Sequence, residues 1–254
     1  MSNKIEEREK KLQEYIAENG AVKISSLAAK FAVSRETIRR DILSLEKKGK
    51  ITKWYGTVMP KNDFNIPAIE KRMAVNQLQK KAICNKAIEY MPKSSVIFLD
   101  AGSTLLWLAK KLKNMTGYTI LTSSISIVNE LVGSKNRIII LGGVVDPATM
   151  SIMGAQTLEF LDEIKIDTAF LGTSGFAEHQ GPTVNSFNDG QIKQKVIKNC
   201  QTSIVLADSS KAVYASLSQY SSWNDIDILI TDRSLPKDSL TKLEKRVAVV
   251  ISKA

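Results

Sequence analysis

Three arginines stand close together near residue 40. Arg35, Arg39 and Arg40 lie in the run Ser34-Arg35-Glu36-Thr37-Ile38-Arg39-Arg40-Asp41-Ile42. A guanidinium group can hydrogen-bond phosphate oxygens or the O6/N7 edge of guanine. If the run is helical, Ile38, Ile42 and Leu45 repeat at i, i+4, i+7 and give it one buried stripe. Arg35, Glu36, Arg39 and Arg40 then fall on other faces, near the end that a recognition helix presents to base edges. Adjacent arginines point about 100° apart on a helix, so one can read a base while the other holds a phosphate. Ser34 is placed to cap this helix on a backbone N–H, and Thr37 completes the polar set.

The elements around this run are those a DNA reader needs. A first helix is expected from about Ile5 to Asn19, stopped by Gly20. The amphipathic stretch Ile24-Ser25-Ser26-Leu27-Ala28-Ala29-Lys30-Phe31 follows, then a three-residue turn into the capped helix. Helix, tight turn and arginine-dense helix make a helix-turn-helix layout. After Gly49, the strand-like run Lys50-Ile51-Thr52-Lys53-Trp54-Tyr55-Gly56 reads as a wing, with Lys53, Trp54 and Tyr55 suited to phosphate contact. Residues 1–81 carry 18 Lys+Arg against 10 Asp+Glu, a balance of +8 out of +10 for the whole chain. The basic excess therefore sits where phosphate affinity requires it.

A second set of residues points to small-anion recognition. Short aliphatic runs at 96–99, 118–121, 137–141, 168–171, 204–207, 228–230 and 247–251 alternate with mostly helical stretches. That texture predicts a mostly parallel sheet covered by helices on both faces, and ligands of such sheets bind at the carboxyl ends of the strands. The first strand runs into Asp100-Ala101-Gly102-Ser103-Thr104, the second into Thr122-Ser123-Ser124 and the third into Gly142-Gly143. Glycine admits close backbone approach, and hydroxyls with a helix N-terminus offer donors to an anion such as phosphate. Asp189 and Gln191 precede Lys193, expected in the first turn of a helix running to Cys200. Lys211 closes Asp208-Ser209-Ser210-Lys211 at another strand end.

The rest of the chain narrows the classes. Its 254 residues suffice for two domains and a sizeable core. Met1-Ser2-Asn3-Lys4 leads into a charged helix without an apolar leader, and no run has the length of a membrane span. Cys84 and Cys200 make no ligand-like group with the single histidine, His179, and read as buried thiols in a reducing cytoplasm. No metal site and no cofactor are expected.

Residues 1–60 resemble the N-terminal domain of the DeoR family of bacterial transcription regulators, on the strength of Val33 to Ile42 with Leu45-Glu46-Lys47-Lys48-Gly49 after it. The resemblance continues through Leu99 to Thr104, Leu141-Gly142-Gly143, Asp167 to Gly172 and Ala207 to Lys211, and covers nearly the whole chain. It implies an effector domain like ribose-5-phosphate isomerase and a phosphorylated sugar or polyol as ligand. Three places depart from the family pattern: Gly56-Thr57-Val58 replaces a glycine pair followed by alanine, Ser123 replaces an asparagine, and Asp189 and Gln191 stand where glutamates are usual.

These readings together predict an α/β chain with a winged helix-turn-helix at 1–58, a linker at 59–75 and an effector-binding, oligomerising domain at 76–254. The expected function is sequence-specific regulation of transcription, as a repressor of a sugar or polyol operon, by a non-enzymatic cytoplasmic homo-oligomer. Its expected partners are double-stranded operator DNA and a phosphorylated sugar or polyol. Two rivals remain open in the sequence. One is a sugar-phosphate isomerase with an appended DNA-binding domain, using Asp100 or Asp189 as base. The other is a non-specific architectural protein with a vestigial pocket.

Overall fold

In the computed structural model, which describes residues 2–19, 22–54, 57–60, 69–177 and 179–253, the chain begins with helix α1 (Ser2–Asn19). Gly20, the expected stop, and Tyr55 lie outside the described residues, as do 61–68 of the expected linker. A short strand β1 (Val22–Lys23) leads into α2 (Ile24–Lys30). The turn out of α2 passes through Ala32 at φ 50 and ends at Ser34. The Ser34 side chain accepts from Thr37 N at 3.1 Å and starts α3 (Arg35–Lys47). Strands β2 (Ile51–Trp54) and β3 (Thr57–Pro60) pair antiparallel, and β3 also pairs with β1. The wing is thus a three-stranded sheet, and its third strand takes residues 57–60, which the pattern-poor sequence after Gly56 did not suggest.

Leu12 and Ile16 from α1, Leu27 from α2 and Ile38, Ile42 and Leu45 from α3 share one core with Ile51 and Val58 of the wing. Each such side chain contributes about 1.5–3 kcal/mol on burial. The i, i+4, i+7 stripe of α3 is the face that packs there. Helix α4 (Ile69–Ala74) falls within the expected linker. After α4 the chain breaks at Asn76, which adopts φ 51, and α5 (Gln77–Ile88) starts after it. The chain forms two compact units, residues 1–75 and 76–254.

In the second unit, β4 (Val96–Leu99), α6 (Ser103–Leu112), β5 (Thr116–Thr122), α7 (Ile125–Leu131) and β6 (Lys135–Ile140) follow in turn. A hairpin of β7 (Val144–Asp146) and β8 (Ser151–Met153) precedes α8 (Ala155–Asp162). Then come β9 (Ile166–Leu171), β10 (Thr183–Val184), α9 (Phe187–Asn199), β11 (Cys200–Leu206), β12 (Ser218–Gln219), β13 (Ile228–Asp232), α10 (Lys237–Leu243) and β14 (Ala248–Ser252). Seven strands form one sheet in the order β14-β13-β11-β9-β4-β5-β6, and every pair in it is parallel. The seven aliphatic runs of the sequence are these seven strands.

The order reverses beside β4. From there the chain winds outward through β5 and β6, then returns to β9 and winds the other way. Right-handed crossovers therefore put the helices of the two halves on opposite faces. Helices α5, α6 and α7 pack side by side in one layer, and α8 packs on α9 in the other. Phe98, Ala169, Leu171, Val205 and Leu229 lie in the core beneath them. Of the two cysteines expected to be buried, Cys84 is, and its thiol donates to Thr104 O at 3.2 Å; Cys200 is only half-buried. Burial pushes the Cys84 thiol up to about 12 and the Cys200 thiol to about 11. No helix is long and apolar enough to cross a membrane, and no cluster of metal-binding side chains occurs among the described residues.

Candidate nucleic-acid interface and sensor site

Helix α3 is held by a pair of charges that the sequence did not mark. Asp41 is 3% exposed, on the buried side of α3. Arg8 of α1 reaches it with two donors, Nε to Oδ2 at 2.6 Å and Nη2 to Oδ1 at 2.9 Å. This fork geometry fixes direction as well as distance, and hydrogen bonding to Asp41 raises the Arg8 guanidinium's pKa above its ordinary value. Lys48 at the end of α3 pairs with the buried Glu9 of α1, while Glu46 Oε1 accepts from Lys53 N of β2 at 3.2 Å. The helix is thus tied to α1 at its middle and at its C-terminal end, and to the wing.

Held this way, α3 presents Arg35, Glu36, Arg39 and Arg40 to solvent. Arg40 and Glu36 approach to 3.5 Å, but both side chains are mostly exposed, so the pair contributes little. Arg35, Arg39 and Lys53 line one shallow depression with Ile24 and Ser25. Three cations from the helix and the wing therefore border a single concavity. Ser34 and Thr37 are taken up with each other and with the cap, their hydroxyls 2.8 Å apart. The side chain of Trp54 is outside the described residues.

In the second unit the strand reversal lies between β4 and β9, and the crevice of such a sheet opens at their carboxyl ends. Asp100 sits there, fully buried. Its Oδ2 accepts from Gly172 N at 2.7 Å, across the reversal, and its Oδ1 accepts from Ala101 N at 2.9 Å. Lys193 forms an ion pair with Asp100 and a second with Asp189, at 3.2 Å. Lys193 itself is 2% exposed. Burial works against its ammonium, but Asp100 and Asp189 outweigh that cost and raise its pKa above the ordinary lysine value. Tyr220 lies across this cluster, 5.7 Å from the Lys193 nitrogen by its ring centroid, and donates its hydroxyl to Gly172 O at 2.9 Å. Burial, with the charges of Asp100 and Asp189, holds the phenol well above its usual range.

One detail corrects the sequence reading. Lys193 was expected in the first turn of its helix, but α9 starts at Phe187 behind the cap Ser186. That places Lys193 in the second turn, and its two carboxylate partners explain its burial.

The other predicted residues divide by what their groups do. Gly102 precedes α6 without a side-chain cap, so the first N–H groups of that helix, at Ser103 and Thr104, face the crevice end uncovered by a cap. Thr122 donates to Leu99 O at 2.6 Å and accepts from Ser124 N at 3.0 Å, and Ser124 caps Ile127 N. These two hydroxyls build the turn after β5. Ser123 is buried, with its carbonyl accepting from Ile152 N at 2.8 Å. Gly142 and Gly143 are exposed and two strands away from β4. A Cβ on Gly143 would lie 2.6 Å from Met153 O and from Thr157 Oγ1, at φ 141, which gives that glycine a packing reason. Asp208, 2% exposed, caps the 3-10 turn Ser209–Val213, which carries Lys211 half-buried. Gly172 was quoted in a motif but not singled out, and Tyr220, in an irregular stretch, carried no signal.

An arginine-bearing helix braced for presentation, in one chain with a doubly wound domain that has a polar crevice, is the layout of a helix-turn-helix regulator with a sensor domain. Residues 8–62 match the DeoR-like helix-turn-helix domain and residues 75–233 match the DeoR C-terminal sensor domain. The chain belongs to the DeoR family of DNA-binding transcriptional regulators. It is 31% identical over 255 residues to the uncharacterized HTH-type transcriptional regulator YulB of Bacillus subtilis, with 98% of each chain covered. It is 30% identical over 246 residues to the HTH-type transcriptional repressor GlcR of the same organism, covering 96% of this chain and 94% of that one. Among solved structures, ribose 5-phosphate isomerase A of Methanocaldococcus jannaschii aligns with 54% of each chain at 19% identity and a TM-score of 0.39.

Proposed function

We propose that the protein is a cytoplasmic repressor whose N-terminal winged helix binds an operator and whose second unit senses a phosphorylated sugar or polyol. Residues 1–58 read DNA through Arg35, Arg39, Arg40 and Lys53. Residues 76–254 hold the effector and the contacts of a homo-oligomer, which paired half-sites require. The observation that carries the sensor reading is the buried Asp100–Lys193 pair at the strand reversal, with the partly exposed Asp189 as its third member, beside the uncapped N-terminus of α6. The helix end suits the phosphate, and the charged cluster suits the hydroxyls of the sugar. The relative named as a repressor supports the sign of regulation.

The commitments of Asp100 support sensing over catalysis. Its oxygens take the N–H groups of Ala101 and Gly172 and the ammonium of Lys193. A general base has to reach a substrate proton directly or through one water, and this carboxylate is bound on both oxygens. The test is a thermal-shift panel of sugar phosphates, followed by NMR of the best ligand in the presence of the protein. Stabilisation by about 2.7 kcal/mol at 100 times the dissociation constant, without turnover, is the expected result. Turnover at about 1 per second or faster would replace the sensor with an isomerase.

A further inference from the structure

The second unit begins at Asn76, which among the described residues is the one N-cap in the left-handed conformation. An N-cap ordinarily has extended backbone and lends its side chain to the first turn, as Ser34, Ser124 and Ser186 do. Asn76 precedes α5 in the left-handed region, φ 51 and ψ 39, and its side chain makes no cap bond. Its amide instead reaches across 132 positions of sequence, donating to Asp208 Oδ1 at 2.8 Å and Ser210 Oγ at 3.3 Å. Asparagine enters the left-handed region more readily than most residues, and these two bonds tie its side chain while it is there. Asp208 Oδ1 also accepts from Ser210 N, and Ser209 N donates to Asp232 Oδ2 at 2.7 Å. The loop after β11 is therefore one connected hydrogen-bonded unit, with Asn76 as its link to the junction between the two units of the chain.

We propose that Asn76 is a coupling residue: its bonds to Asp208 and Ser210 hold the first residue of the sensor unit to the loop after β11, operator binding depends on them, and an effector that engages the 208–211 loop breaks them. This rests on the reading of that loop as part of the sensor site. With the bonds made, the start of α5 is tied to the loop after β11; with them broken, residue 76 gains access to other backbone conformations. An effector that competes for Asp208 or Ser210 binds the unlocked state better, which is the differential affinity any ligand-driven switch needs.

The test needs no effector. A duplex selected by the wild-type full chain from a random-sequence pool is titrated, without sugar phosphate, with wild type, Asn76→Gly, Asp208→Ala and the double variant. Glycine adopts the left-handed conformation without strain, so Asn76→Gly removes only the side chain. Each single variant is expected to bind at least about fivefold more weakly, the low end of usual allosteric coupling. The double variant is expected to lose no more than the weaker single, with the dependence on salt unchanged because the phosphate contacts are untouched. Unfolding of the second unit is followed in parallel, so that lost binding in Asn76→Gly is read from a folded protein. Affinity of Asn76→Gly within about twofold of wild type, losses that add, or an altered salt slope would overturn the proposal. Because no effector enters the assay, a sugar-phosphate panel that shifts nothing would refute the sensor reading and leave this result standing.

Discussion

Replacing Lys193 by methionine is the sharpest probe of the sensor domain. Methionine is unbranched and flexible and fills nearly the same space, so the change removes charge more than volume. Asp100 is left fully buried with the N–H groups of Ala101 and Gly172 and no cation. Breaking a buried ion pair by removing one partner costs about 3–5 kcal/mol, because the other charge stays behind. Asp189 is 31% exposed and can hydrate in part, so the loss is assigned to Asp100. For a unit of this size each kcal/mol shifts the midpoint by roughly 2–4 °C, which gives a drop of roughly 6–20 °C. The assay is thermal unfolding of wild type, Lys193→Met, Asp100→Asn and the double variant. The double variant is expected to lose less than the two singles together, with a coupling of about 1.5–3 kcal/mol. The lysine's raised pKa sets the pH window. Its contribution is complete below the ordinary lysine value of about 10.4 and disappears as pH rises through the higher folded value. The lysine's contribution to the gap between wild type and Lys193→Met is therefore flat from about pH 6 to 9 and closes only above about pH 10.5. A shift of less than about 1 kcal/mol in Lys193→Met, or strictly additive losses, would refute a tightly coupled charge cluster as the centre of the site.

Other outcomes follow from the same geometry. Asp41→Ala strips the two bonds from Arg8, whose side chain is 25% exposed and can rehydrate; a loss of about 2–3 kcal/mol in the N-terminal unit is expected by urea unfolding. Arg39→Ala should cost operator affinity about 1–3 kcal/mol if it reads a base, or lower the salt slope by about 1 if it holds a phosphate. Gly143→Ala should destabilise by about 1–3 kcal/mol through collision with Met153 O and Thr157 Oγ1, while Gly142→Ala, with open space, should be neutral in the same melt. Cys84, buried with its thiol pushed up to about 12, should resist iodoacetamide at pH 8 in the native protein and react on unfolding, as mass spectrometry would show.

Much of the fold could be read from periodicity alone. The seven aliphatic runs became the seven parallel strands because a strand buried on both faces has to be apolar throughout. The stripe Ile38, Ile42, Leu45 and the cap Ser34 appeared as expected because both are local: a repeat of 3.6 residues and a side chain three positions from its partner. What failed to show was whatever depends on non-local pairing. Asp41 sat in plain view inside a motif, yet its role depends on Arg8, 33 positions earlier. Lys193 looked like a misplaced helix cation, and its explanation lay 93 positions away at Asp100. Residues 59 and 60 read as linker because a four-residue strand, although central in the wing's sheet, has neither length nor alternation to announce itself.

The same distinction separates the hydroxyls and glycines at strand ends from the buried charges. A strand-to-helix turn consumes hydroxyls and tight backbone for its own construction, as Thr122, Ser124 and Gly143 do here. Such residues mark the sheet edge reliably and the ligand only incidentally. A charge buried in the interior has no local reason to be there: isolated, it would be expelled or neutralised, so it has to be met by a charged or hydrogen-bonding partner placed by the fold. Asp100, Lys193, Asp208 and Asp41 are all nearly inaccessible, and every one has a partner from a distant segment. In this chain the long-range pairing of buried charges singles out the crevice, the brace of the reading helix and the link at Asn76, three places where the position of a functional element has to be fixed against the rest of the fold.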